Sequence, residues 1–166
     1  MARRRLALLL GQGDEEYQSE FVRGFLKEAY ANDFDVCLFS MFIKYQNSRE
    51  RELGDSNIYN LINYDKFDAV VILSDSIQTP GVAEELENTI KKNFSGPVLV
   101  IDRESKNFPV IWTDGYDLIY KTVSHLIEVH GYKDIAFLTG KKWHMHSIRR
   151  MEAYKQAMKD HGLPLR

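Results

Sequence analysis

The sequence predicts an α/β protein in which one parallel sheet is covered by helices on both faces, a doubly wound three-layer α/β/α fold. Two observations lead to this class. Short, nearly continuous apolar runs are typical of strands that are buried on both faces of a sheet. Segments with helical periodicity alternate with these runs, and that order is typical of right-handed crossovers between parallel strands.

Six apolar runs are predicted strands: LALLLG (6–11), DVCLFSM (35–41), DAVVILS (68–74), PVLVID (97–102), VIWTD (110–114) and DIAFLTG (134–140). The opening MARRRLALLL contains the basic and apolar parts of a signal peptide. Its apolar stretch is short, however, and continues into GDEE without a cleavage pattern. We therefore expect a first strand with a basic lead-in, and a cytoplasmic protein.

Helical periodicity is clearest between the first two predicted strands. In residues 16–32 apolar side chains recur every four positions from Tyr17 to Ala29, which places them on one face. The segment between the second and third strands is less regular. There we expect a helix that begins after Gly54, with Gly54 itself interrupting an earlier turn.

Three further helices have recognisable ends. Thr79 is the predicted N-cap of one helix, and Pro80 is expected at its first position. Gly131 is placed to end the helix formed by DLIYKTVSHLIEV. The final helix contains SIRRMEAYKQAMKD, where Ser147 is the expected N-cap and apolar side chains such as Met151 and Tyr154 share one face.

Composition excludes several classes of protein. The 166 residues are enough for one domain, and 44% apolar with 28% charged residues is close to globular averages. A net charge of −2 provides no basic excess for phosphates, so we expect no direct nucleic-acid binding by this chain alone. No apolar segment is long enough to span a membrane. Cys37 lies in an apolar run and is predicted to be a buried thiol in a reducing compartment.

Polar and aromatic side chains follow the predicted strands at their carboxyl ends, where ligands of such sheets bind. They include Gln12, Asp14, Glu15, Tyr17, Ser40, Phe42, Tyr45, Ser74, Asp75, Asp102, Arg103, Thr113, Asp114, Lys141, Lys142 and Trp143. Hydroxyls, carboxylates and rings together suit a neutral polyol or a heterocycle, held by hydrogen bonds and stacking.

Catalytic and metal-binding interpretations have less support. GQG after the first strand lacks the third glycine of a dinucleotide fingerprint, and acidic residues crowd the helix start where a pyrophosphate would bind. Acids after the first and third strands and Lys141 after the sixth are the parts of a receiver domain. His144 and His146 are candidate metal ligands, but no carboxylate or cysteine stands at helical spacing from them. We predict no enzyme, no cofactor and no metal site.

The chain resembles LacI/GalR-type regulators along nearly its whole length. HGYKDIAFLTG followed by RRMEAYKQAMKDHGLPL is similar to the family's Gly-His-basic-basic-Ile-Ala-Phe-Leu-x-Gly strand, its aromatic-centred helix and its Gly-Leu-Pro, with Tyr132 in place of the histidine. EEYQSEFVRGF, FDAVVILSD, PVLVIDRE and VIWTDGYDLIYKTVSHL are similar to further family elements in the same order. The Asn-Pro of the first element is replaced here by Glu15 and Glu16.

The resemblance implies the first lobe of a periplasmic-binding-protein-like fold, in which the ligand lies in a cleft between two lobes. It implies an N-terminal lobe over residues 1–140, and a crossover with the first helix of an incomplete second lobe over residues 141–166. It also implies that the ligand contacts are Asp14, Tyr17, Ser74, Asp75 and Asp114. Asp114 is the strongest of these as an acceptor for ligand hydroxyls, and it is equally a candidate N-cap for the following helix.

We therefore expect a ligand-sensing domain of a LacI/GalR-like regulator, without a DNA-binding headpiece, that binds a small sugar- or nucleoside-like effector. The alternative is the sensory input domain of a diguanylate cyclase or another signalling protein, and a receiver-like phosphoacceptor is the third hypothesis. Half a cleft predicts weak ligand affinity, because tight sites enclose most of the ligand. Apolar faces that lack a second lobe predict a homo-oligomer, such as a dimer.

Overall fold

Five parallel strands form one sheet in the computed structural model, which describes residues 3–42, 48–140 and 144–166. The strands are β1 (Arg4–Gly11), β2 (Phe34–Met41), β3 (Ala69–Leu73), β4 (Val98–Ile101) and β5 (Val110–Ile111). Their spatial order is β2-β1-β3-β4-β5. The chain divides into two compact units, Met1–Trp112 and Thr113–Arg166, and the whole sheet belongs to the first.

Helices cover both faces of the sheet because β1 and β3 are apolar on both sides. Ala7 and Leu9 belong to a core cluster that includes Val82, Leu86 and Ile90 of helix α3 (Val82–Asn93). The neighbouring residues Leu8 and Leu10 belong to a second cluster, against which Phe21 and Phe25 of helix α1 (Glu16–Ala31) pack. The doubly wound three-layer prediction is thus confirmed, together with the first five predicted strands.

Two helix starts in this unit differ from the prediction. Gly54 lies inside helix α2 (Arg49–Ser56), which Ser48 caps with its side chain, and a 3₁₀ turn over Asn57–Leu61 follows. The expected interruption at Gly54 is therefore wrong. Helix α3 begins at Val82 rather than Pro80, because Gly81, with φ of 87°, turns the chain immediately before it.

Cys37 is exposed, so the predicted buried thiol is also wrong. Its strand, β2, lies at the edge of the sheet and pairs only with β1 among the described strands. An apolar run on an edge strand has fewer neighbours to cover it, and Leu38 beside Cys37 is 46% exposed for the same reason. Tyr17, predicted on the apolar face of α1, is likewise 57% exposed.

The second unit contains helices α4 (Tyr116–Glu128) and α5 (Met145–Asp160). Val123, Tyr154, Ala157 and Met158 form its buried cluster. Gly131, with φ of 70°, ends the α4 region as predicted, since its N–H donates to the carbonyl of Ile127. Ser147 is not the N-cap of α5, because His144 occupies that position and Ser147 lies inside the helix.

Residues 134–140 do not form the predicted sixth strand. They have no regular secondary structure, and no strand of the described residues pairs with them. The side chains of Ile135 and Phe137 pack on the helical cluster instead, while Leu138 is 98% exposed. A strand requires a hydrogen-bonded neighbour, and apolar composition alone does not supply one. The predicted lobe boundary at residue 140 stays a prediction. The boundary between the two compact units falls in the chain between Trp112 and Thr113.

Candidate functional site

The carboxyl ends of β1 and β3 are held together by short hydrogen bonds. The backbone N–H of Gly11 donates to the hydroxyl of Ser76 at 2.9 Å, and that hydroxyl donates to the carbonyl of Leu73 at 2.5 Å. A Cβ at Gly11 would lie 2.5 Å from the backbone oxygen of Ser76, so only glycine allows this approach. The 3₁₀ turn also contacts the end of β1, because the buried hydroxyl of Tyr59 donates to the carbonyl of Leu10 at 2.7 Å.

Two residues at this edge have strained backbone conformations. Gln12, directly after β1, has φ of 54°, and Asp102, directly after β4, has φ of 60°. Both are buried, and their backbone N–H groups donate to Met41 and Ile111, respectively. A non-glycine residue in the left-handed region costs on the order of 1–3 kcal/mol and is often associated with functional sites. The strain therefore marks the carboxyl edge as a candidate site on grounds independent of any motif.

Tyr17 connects the end of β4 to the first turn of α1. Its hydroxyl donates to a carboxylate oxygen of Asp102. Desolvation is the largest of the causes that together raise the pKa of Tyr17 to about 12; the hydrogen bond to Asp102 and the charges of Asp102 and Asp75 act in the same direction. We call Gln12, Tyr17, Asp75 and Asp102 the carboxyl-edge site.

The structure brings some of the predicted ligand residues together and separates others. Tyr17 and Asp75 belong to the carboxyl-edge site, and Asp14 is exposed in the loop before α1. Ser74 is completely buried, and its hydroxyl has no hydrogen-bond partner within the described part of the chain. Asp114 belongs to the second compact unit rather than the first.

Asp114 has a structural role at the start of α4. Its carboxylate accepts from the backbone N–H of Tyr116 at 2.9 Å and from the guanidinium of Arg149 at 2.9 Å. The bond from Arg149, followed by the bond from Tyr116, lowers the pKa of Asp114. The N-cap position of α4 is Gly115, so the predicted N-cap at Asp114 is wrong by one residue, although the Asp114 carboxylate does accept from the first turn of the helix. Arg149 also lies over the ring of Tyr116, with 4.9 Å between the guanidinium carbon and the ring centroid.

An open groove of about 800 Å³ lies beside Arg149 in the second unit. Its lining includes Tyr116, Arg149, Glu152, Lys155 and Lys159.

His144 and His146, the candidate metal ligands, have ring centroids 5.6 Å apart. The described residues contain no group of three or more side chains that could hold a metal ion. Tyr45, Lys141, Lys142 and Trp143 lie outside the described residues.

Two functional candidates were missed when ligand residues were selected from the sequence. Asp102 was recognised only as a polar residue at a strand end, although its position directly after PVLVI was a usable signal. Arg149 lies in the predicted last helix and was given no role there. No local pattern indicates that it pairs with Asp114, which lies 35 positions earlier in the chain.

A parallel sheet covered by helices on both faces defines a doubly wound α/β protein, and ligands of such folds bind at the carboxyl edge of the sheet. The family model described as periplasmic binding proteins and sugar binding domain of LacI family matches residues 3–166. The chain therefore belongs to this family. The HTH-type transcriptional regulator AscG of Escherichia coli K12 is 32% identical over 84 residues, which are 49% of this chain and 24% of AscG.

Solved structures of repressors show the same fold. The E. coli repressor AscG aligns with 98% of this chain and 56% of its own, at a TM-score of 0.67 and 25% identity. The E. coli trehalose repressor aligns with 98% of this chain and 58% of its own, at a TM-score of 0.69 and 19% identity. The chain thus spans little more than half of these structures. Among the described residues, no helix has the length and apolar character needed to cross a bilayer.

Proposed function

We propose that this chain is the effector-sensing part of a LacI-type transcriptional regulator and that it binds a small polar metabolite, either a sugar or a nucleoside-like molecule. Family membership supports the regulatory role. The observation that carries the ligand proposal is the convergence of Tyr17 of α1 with Asp75 and Asp102, which follow β3 and β4 at the carboxyl edge of the sheet. Ligands of doubly wound sheets bind at that edge.

The proposed contacts are of two kinds, ring stacking and hydrogen bonding. Tyr17 is 57% exposed, so its ring offers an apolar face to a sugar or a heterocycle. Asp14 and Asp75 accept hydrogen bonds from ligand hydroxyls when ionised. Ser74 is proposed as a further ligand contact, and its hydroxyl is buried without a partner among the described residues. The ligand role of Asp114 rests on the family resemblance alone.

The remaining proposals concern the whole protein. Ligand binding increases the population in which the lobes are closed, and an output domain responds to that closed state. The protein acts as a non-catalytic, cytoplasmic homo-oligomer, with a small molecule as its effector and no DNA contact from this chain alone. The named relatives are transcriptional regulators, so the diguanylate cyclase input and the receiver hypothesis are not favoured.

The test is an NMR titration of the ¹⁵N-labelled chain with neutral monosaccharides, disaccharides and nucleosides. We expect saturable shifts of the Gly13, Tyr17, Asp75 and Asp102 amides by at least one compound, with a Kd on the order of millimolar because little of the ligand is enclosed. Tyr17→Ala should weaken that binding about five- to tenfold through lost stacking. Tyr30→Ala, at a tyrosine of comparable exposure at the other end of α1, should leave the binding unchanged.

The proposal fails if no sugar or nucleoside shifts these amides at about fifty millimolar, or if the two alanine variants weaken binding equally. Phosphorylation of the chain by a small phosphodonor, abolished by Asp75→Asn, would instead support the receiver hypothesis.

A further inference from the structure

Acidic side chains dominate the place where the proposed effector would bind. Asp14, Glu15 and Glu16 surround the start of α1, and Glu15 stands at its N-cap. A helix N-terminus attracts anions through its unpaired N–H groups and its dipole. Here three carboxylates already provide that negative charge. The start of α1 is therefore a poor position for a ligand phosphate.

Tyr17 reports the electrostatic potential inside the same site. Its phenolate form is an anion, and the charges of Asp102 and Asp75 both oppose its formation in addition to the desolvation that burial causes. A ligand anion placed against Tyr17 would meet the same two carboxylates. The site therefore disfavours negative charge at the position where the ligand ring is proposed to stack.

The bases of the surrounding loops do not reverse this balance. By sequence, the segments that follow β1, β2, β3 and β4 contain five acids and three bases, a sum of −2: Asp14, Glu15, Asp75, Asp102 and Glu104 against Lys44, Arg103 and Lys106. Arg103 is further neutralised by its ion pair with Glu84. Lys44 lies outside the described residues, and its charge is already included in the sum.

Hydrogen-bond chemistry leads to the same conclusion. Ionised aspartates accept hydrogen bonds and donate none, and the hydroxyl of Tyr17 already donates to Asp102. The carboxyl-edge site is therefore rich in acceptors. A matching ligand presents donors, which hydroxyl and ammonium groups supply and a phosphate dianion does not.

From these contacts we infer that the effector is an uncharged polyhydroxy compound or one bearing an amino group, and that its phosphorylated counterpart is rejected. This inference rests on the proposed function, because it assigns the ligand class of the same site. It separates free or amino sugars from sugar phosphates, a distinction that neither the fold nor the family membership makes.

The experiment compares matched probes in the same NMR titration: glucose with glucose 6-phosphate and glucosamine, and ribose with ribose 5-phosphate. We expect each phosphate ester to bind at least about tenfold more weakly than its parent, and glucosamine to bind at least as well as glucose. Asp75→Asn should reduce the ratio of the Kd of the ester to the Kd of its parent about threefold. Asp65→Asn, an acid before β3 at the opposite edge of the sheet, is the control and should leave that ratio unchanged.

A second readout requires no ligand. The pKa of Tyr17, followed by the NMR signal of its ring carbon bonded to oxygen, should fall in Asp75→Asn and stay constant in Asp65→Asn. A phosphate ester that binds as tightly as its parent overturns the inference, as does a Tyr17 pKa that Asp75→Asn does not change. If no probe binds at all, the proposed function itself fails, and the Tyr17 titration still reports whether the site disfavours anions.

Discussion

Strand β3 and residues 134–140 have similar sequences and different structures. DAVVILS and DIAFLTG both begin with aspartate and continue as an apolar run. β3 pairs with β1 on one side and β4 on the other, and Ile72 and Leu73 are completely buried. Residues 134–140 pair with no described strand, and Leu138 is 98% exposed. An apolar run thus indicates a preference for burial, whereas its neighbours determine whether it becomes a strand.

The same contrast holds for the two compact units as wholes. The first is organised by a sheet whose two faces each have a core, so its central strands are fixed by ladders and by packing on both sides. The second is organised by the packing of α4 and α5, with one small cluster around Tyr154. We expect side-chain truncations and backbone crowding to cost more in the first unit than in the second.

The largest expected effect comes from one substitution made at two places. Leu73→Ala in β3 removes a fully buried side chain and should lower the free energy of unfolding by about 2–5 kcal/mol. Leu138→Ala changes an exposed side chain and should cost less than about 0.5 kcal/mol. Urea denaturation followed by circular dichroism measures both. Equal losses would show that residue 138 is covered in solution, and the contrast between the two segments would not hold.

Backbone crowding provides the second comparison. Gly11→Ala in the first unit places a Cβ against the backbone of Ser76, which cannot move away without disturbing the sheet, and should cost about 1–3 kcal/mol. A Cβ at Gly140 would meet the hydroxyl of Ser147, a side chain that can rotate, so Gly140→Ala should cost less than about 1 kcal/mol. Thermal melting of both variants tests this. A Gly140→Ala loss as large as that of Gly11→Ala would contradict the expected difference between the units.

A buried tyrosine in each unit donates to a backbone carbonyl. Tyr59 donates to Leu10 at 2.7 Å, and Tyr154 donates to Ile135 at 2.8 Å. Replacing Tyr59 by phenylalanine should cost about 1 kcal/mol, since one hydrogen bond is lost and the packing is kept. Tyr154→Phe should cost about 1–2 kcal/mol, because its hydroxyl also accepts from the backbone N–H of Arg166 at 3.3 Å. Hydrogen exchange should locate the effects differently. Tyr59→Phe should reduce the protection of β1 alone, and Tyr154→Phe should reduce that of residues 134–140 and α5. A loss of protection spread over both units would mean that they unfold together.

Much of the fold could be predicted because periodicity and local chemistry determine it. β1 and α1 match their predicted ranges closely, and Gly131 ends the α4 region as expected. Two of the errors share a cause, namely that tertiary neighbours decide the outcome. Cys37 is exposed because β2 is an edge strand, and residues 134–140 lack a paired neighbour among the described residues. Neither fact can be read from the residues themselves.

The candidate site was predictable in position and only partly in membership. The rule that ligands bind at the carboxyl ends of parallel strands led to Tyr17 and Asp75, which the structure places near one another. The link from Tyr17 to Asp102 joins residues 85 positions apart, so no local pattern could indicate it. The strained conformations of Gln12 and Asp102 were equally inaccessible, because backbone dihedral angles at such positions depend on the assembled sheet.

The smallest expected effect is a pH response confined to the second unit. All five histidines lie between residues 125 and 161, so the first unit has no imidazole that titrates near neutral pH. In the second unit His161 bonds to the carboxylate of Glu128 at 2.9 Å, and this bond is the main reason that its pKa is raised. A raised pKa in the folded state means that protonation favours folding. The stabilisation is therefore complete below the ordinary pKa of about 6.5 and is lost as the pH rises through the higher folded value.

Hydrogen exchange between pH 5.5 and 8.5, corrected for the intrinsic exchange rate, tests this response. Protection of α5 should decrease as the pH rises in the wild-type chain, and the decrease should be smaller in His161→Gln and in Glu128→Gln. His144→Gln, at the other end of α5, is the control and should leave the pH dependence of α5 protection unchanged. Protection of β1 and β3 should not change over this range, because no imidazole belongs to their unit. A parallel pH response in β3 would mean that the stability of the sheet depends on the second unit, and the two regions would then have to be treated as one cooperative structure.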